Sequence, residues 1–80
     1  MNKKSANLLG WYGTAAILSA FALISFSVVT PDNIFYQLLN LSGAIGLAIE
    51  TFRKKDYQPG VLNVIWATIA LIAITKTFLP

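Results

Sequence analysis

The side chains best placed to do chemistry in this chain are amides and an indole, not acids, bases or thiols. The sequence has no His and no Cys, so the commonest general base and metal ligand is missing and thiol chemistry is excluded. The three carboxylates, Asp32, Glu50 and Asp56, fall at the ends of apolar stretches, on at least two levels, and cannot form an acid/base pair. There is no phosphate-cradling glycine loop and no metal-ligand spacing. A non-enzymatic role with no cofactor and no metal is therefore expected.

Asn40 and Asn63 each follow a Leu inside an apolar run, and an amide in hydrocarbon must find a partner. Asn33, Gln37, Asn40 and Ala44 are spaced four, three and four, which places them on one helical face. Asn40 is nine residues past Pro31, about 14 Å from the outer edge of its helix. Asn63 lies about 6 Å in from the opposite edge, and Trp66, one turn further, about 10 Å in. That is deep for an interfacial Trp, and Asn63 is a candidate acceptor for its indole N–H. Asn7, Gly10, Trp11 and Thr14 form a comparable face on the first apolar stretch. Two readings of these residues stand side by side. In one they are interhelical hydrogen-bond glue. In the other Asn40, Asn63 and Trp66, with Gln37 and Thr14, line a polar cavity for a neutral hydroxylated solute such as a sugar, because an amide both donates and accepts and an indole offers a flat face.

The elements that must position them are membrane spans. Apolar residues make up 56% of the chain and charged ones 11%, against roughly 25% charged in a soluble domain. Leu8–Val29, Ile34–Phe52 and Val61–Leu79 are each close to the about 20 apolar residues that a spanning helix needs. A water-soluble core of this size could not hide three such segments. Residues 1–80 are read as one transmembrane domain, with helices over about 6–29, 31–52 and 59–79. Thr30 is the expected N-cap of the second, with Pro31 at its first position, and Pro59 is expected to open the third. Ser25-Phe26-Ser27 loosely mimics a signal cleavage site, but the apolar region before it is longer than a signal core. Small residues (Gly13, Ala16 and Ala20, then Ser42 and Gly46) suit close helix approach.

Lys3, Lys4, Arg53, Lys54 and Lys55 fall on one side of three such spans and Lys76 alone on the other. The bias predicts an integral protein of the bacterial inner membrane, N-terminus cytoplasmic and C-terminus outside. Six basic residues divided in this way do not make a nucleic-acid patch. Glu50 precedes Arg53 and Lys54 by three and four residues, the spacing of an ion pair on a helix.

The order of these signals resembles a known pattern. Gly10-Trp11-Tyr12-Gly13, Tyr36-Gln37-Leu38-Leu39-Asn40-Leu41-Ser42-Gly43 and Val61-Leu62-Asn63-Val64-Ile65-Trp66-Ala67 look like a family of small, uncharacterised three-span bacterial membrane proteins, from roughly Leu8 to Thr75. More distantly the layout is similar to SemiSWEET and PQ-loop transporters. That resemblance implies an all-α, three-helix bundle that works as a parallel homodimer and passes small solutes, with Asn63 in the place of a solute-contacting Asn. The chain departs from that superfamily in two places. Its first helix has no Pro-Gln pair, and Gly46 or Leu47 stands where an aromatic partner of the Asn is found. The resemblance therefore suggests a homodimeric carrier. The alternative is a non-transporting accessory subunit, whose partners are the bilayer and other membrane chains.

Overall fold

The computed structural model describes residues 2–79, and these form three α-helices: α1, Lys3–Ser25; α2, Ile34–Arg53; and α3, Tyr57–Phe78. The helices hold 23, 20 and 22 residues, so each is about 30–35 Å long, the thickness of a bilayer's hydrocarbon core. By length and composition α1 and α3 can cross a membrane. α2 falls short of the same measure, where the sequence reading expects three spans, because Gln37, Asn40 and Glu50 interrupt its apolar run.

The helix ends differ from expectation for identifiable reasons. Asn2 caps α1 by accepting from the Ser5 N–H at 2.7 Å, so the helix begins at Lys3. It stops at Ser25 instead of running to Val29. Ser27 takes a left-handed conformation, φ 60°, its N–H bonds Ile24 O at 3.2 Å and the Val28 N–H bonds Leu23 O at 2.9 Å, which is a Schellman stop. The second turn repeats the device with Lys55 at φ 61°, the Lys55 N–H on Phe52 O at 3.0 Å and the Asp56 N–H on Thr51 O at 2.8 Å. Thr30 is not the cap of α2. The Thr30 hydroxyl bonds Asp32, the Asn33 N–H closes a turn onto Thr30 O at 3.0 Å, and the cap is Asn33, which accepts from the Tyr36 N–H at 3.0 Å. An Asn there serves better than Thr because the turn already occupies the Thr30 hydroxyl. α3 starts at Tyr57, before Pro59, whose missing N–H falls in the first turn where no intrahelical bond is lost.

α2 lies in the middle. It packs on α1 along one side and on α3 along the other, and α1 and α3 do not meet. The α1–α2 seam is made of small residues. A Cβ on Gly13 would lie 2.5 Å from Gly43 O, and one on Gly46 would lie 2.9 Å from Leu9 O. The two backbones therefore touch. Gly43 faces Ala16 across the same seam, where a Cβ would come within 3.0 Å of the Ala16 Cβ. Tyr12 pins this seam from the side, its hydroxyl 2.6 Å from Ser42 Oγ, which itself donates to Leu39 O at 3.3 Å. The α2–α3 seam is looser. Ala44 and Ala70 are buried in it, and Gly60 leaves room for the ring of Phe52, which also packs on Tyr57 with ring centroids 6.2 Å apart.

The resulting core is inverted relative to a soluble domain. Among the described residues the buried apolar side chains are Ala6, Ala16, Ala20, Ala44 and Ala70, while Leu18, Phe21 and Ile69 are about 60% or more exposed.

Two outcomes follow from this packing. Gly13→Val should lower stability in detergent unfolding by about 1–3 kcal/mol, the cost of overpacking, and should loosen α1 from α2. Ser27→Gly should raise the unfolding midpoint, by about 0.5–1 kcal/mol of stability, because glycine meets no steric penalty at positive φ.

Candidate functional site

Because α1 and α3 flank α2 without meeting, two edges of α2 stay open. One is the row Asn40, Ala44, Leu47 and Thr51, spaced four, three and four, in which Ala44 is buried and the other three are partly exposed. The other carries Leu38, Ser42, Ile45 and Ile49 with the same spacing, about 160° away around the helix. The two edges differ in chemistry. Leu47 and Thr51 border an open groove of about 250 Å³ that α1 walls with Asn7, Trp11 and Thr14. Leu38, Ser42 and Ile45 border an apolar groove of about 390 Å³ beside Tyr12 and Phe35. Of the polar candidates, Asn40 lies on the first edge and Thr14 on the α1 wall of its groove.

Their partners are now defined. Trp66 Nε1 donates to Asn40 Oδ1 at 2.8 Å, bridging α3 to α2. This corrects the expected acceptor, since Asn63 does not take the indole. The Asn63 Nδ2 donates instead to Pro59 O, one turn back in its own helix, at 2.8 Å, a local side-chain-to-backbone bond within reach of any mid-helix Asn. Gln37 is buried, at 7% exposure, and donates to Pro31 O, tying the first turn of α2 to the loop before it. Thr14 donates to Gly10 O within α1 at 3.0 Å. Of the five candidate residues the structure joins only Asn40 and Trp66. Gln37 sits toward the other end of α2, bordering an open groove with Ala73, Lys76 and Thr77. Thr14 belongs to the α1–α2 groove.

Glu50 makes the ion pairs its spacing implies. Arg53 Nη2 is 2.8 Å and Lys54 Nζ 3.3 Å from the same oxygen, Oε1. The sequence does not reveal how deeply the acid is held. Glu50 is 4% exposed, lying on Gly10, where a Cβ would come within 2.8 Å of its Cγ. The Tyr12–Ser42 bond also escapes a reading of the sequence. The detectable signal was Ser42 within a small-residue row, which implies a helix close by but not which side chain reaches it.

Taken together the arrangement can hold helices in register and offer open grooves of unlike lining, the polar one beside Thr14 and the apolar one beside Tyr12 among them. Neither groove is an enclosed chamber, and the amide and indole that a solute would require are bonded to each other.

No curated protein matches the chain, and no solved structure does. A protein-family model matches residues 6–80, nearly the full length, and the chain belongs to that family of small three-helix proteins.

Proposed function

We propose that this is an integral membrane protein whose three helices all span the bilayer, and that it works as a non-transporting subunit packed against other membrane chains. The observation that carries this reading is the Trp66–Asn40 hydrogen bond. It spends the two groups best suited to a solute on holding α3 to α2.

The inverted core supports the membrane setting. Small residues inside and large apolar ones outside is what lipid permits and water penalises. α2 crosses with its neighbours despite its polar residues because Gln37, Asn40, Ser42 and Glu50 each have a partner inside the protein, with one Glu50 oxygen, Oε2, left over. Gln37 reaches Pro31 O, Asn40 takes Trp66, Ser42 meets Tyr12 and Glu50 takes two cations. Satisfied polar groups can be buried in a bilayer where free ones cannot. Lys3, Lys4 and Arg53–Lys55 sit at one end of the helices and Lys76 at the other, which favours a cytoplasmic N-terminus in a bacterial inner membrane. We take the role to be non-catalytic, with no cofactor and no nucleic acid partner.

A second reading keeps the SemiSWEET-like carrier. It is favoured by Asn7, Thr14, Asn40 and Trp66 lying toward one open edge, which a second copy related by a two-fold axis could close into a cavity.

The two readings separate in one pair of experiments. In a double-mutant cycle of Asn40→Ala and Trp66→Phe, the subunit reading predicts a coupling of about 0.6 kcal/mol in micelle unfolding. Liposomes bearing the wild-type protein should then take up labelled sugars no faster than empty ones. Uptake above that background, lost in Asn40→Ala and in Asn63→Ala while both stay folded, would establish the carrier instead.

A further inference from the structure

We propose that the groove between α1 and α2, at the end carrying Lys3 and Lys54, binds the phosphodiester headgroup of an anionic membrane phospholipid. The proposal rests on the membrane-embedded reading above and is independent of which partner chain the protein serves.

The groove is built around a hidden acid. Glu50 is seated against Gly10, and its Oε2 is covered by the protein with no hydrogen-bond partner among the described residues. Its other oxygen binds Arg53 and Lys54 together. Two cations thus share one carboxylate, and the cluster keeps a surplus positive charge. The acid lies beneath and the base stays at the rim, since the Lys54 side chain is 54% exposed and that of Glu50 only 6%. An approaching ligand meets the ammonium before the carboxylate, which lines the groove deeper down.

α1 completes the mouth. Lys3 lies four residues before Asn7 and therefore on the same face. Asn7 is exposed and lines the groove, and its amide can donate to a phosphate oxygen. Trp11, 68% exposed, follows at the level where headgroup gives way to hydrocarbon. The far wall includes Leu47. A groove with Lys54 at its rim, Lys3 on the adjoining face of α1 and the apolar Leu47 on its far wall suits a ligand with an anionic head and a hydrocarbon tail better than a free anion. Basic pockets between membrane helices select anionic headgroups in this way.

The test uses the full chain in phosphatidylcholine nanodiscs and the fluorescence of Trp11, isolated as the difference between wild type and Trp11→Phe. Brominated phosphatidylglycerol should half-saturate the quenching of Trp11 at a mole fraction roughly tenfold lower than brominated phosphatidylcholine, given the contribution expected of two surface cations. The preference should vanish in the Lys3→Gln, Lys54→Gln double variant and persist in Lys55→Gln, which changes a basic residue outside the groove. Equal half-saturation by the two lipids would overturn the proposal, as would an equal loss in Lys55→Gln, which would mark a diffuse surface field. Release of the lipid by millimolar inorganic phosphate would mark a soluble anion as the ligand and overturn it too. Absence of quenching by either lipid would refute the membrane reading itself.

Discussion

Contact between the backbones of α1 and α2 is the constraint on which the remaining structure depends. Gly13 lies against the carbonyl of Gly43, and Gly46 against that of Leu9. Two helices can come this near only where side chains are absent, and at that separation dispersion and packing hold them without any hydrophobic force. The depth of the seam then decides what else can reach across it. Tyr12 meets Ser42 only because the helices are that close, and Glu50 can lie flat over Gly10 only because residue 10 has no side chain. A wider gap would uncover the carboxylate and the groups paired with it.

The second consequence concerns the middle helix. α2 is the one helix whose apolar run falls short of a membrane span, and the one that touches both others. Those facts are linked. A helix carrying Gln37, Asn40, Ser42 and Glu50 can be buried in hydrocarbon only if neighbours supply partners, and the central position offers neighbours on two sides. α1 and α3, long and apolar, face outward. Side-chain hydrogen bonds reach α2 from both sides: the hydroxyl of Tyr12 in α1 meets that of Ser42, and Trp66 in α3 donates to Asn40. Each outer helix contributes one aromatic side chain that ends on a polar atom of α2.

Much of this was legible in the sequence because it depends on short-range chemistry. The three helices, the short turns between them, the Glu50 ion pairs and the small-residue rows follow from apolar length, turn residues and helical spacing. The helix ends were less legible. Both stops use a non-glycine residue at positive φ, Ser27 and Lys55, and neither type announces a left-handed stop as glycine would. The partner of Trp66 was missed because periodicity fixes which residues share a face of one helix, not which helix stands opposite. Asn63, one turn away, looked nearest along the chain, whereas Asn40 is nearest in space. The order of packing, with α2 between the others, is likewise a long-range fact with no local signature.

Cysteine pairs test that order of packing most directly. Ala16→Cys with Gly43→Cys places two thiols across the closest part of the seam, while Ala16→Cys with Ala70→Cys asks whether α1 reaches α3. In membranes, under mild oxidant, the first pair should form an intramolecular disulfide and the second should not. A disulfide within single chains of the second pair, with none in the first, would show that α1 packs on α3 and contradict the central place of α2.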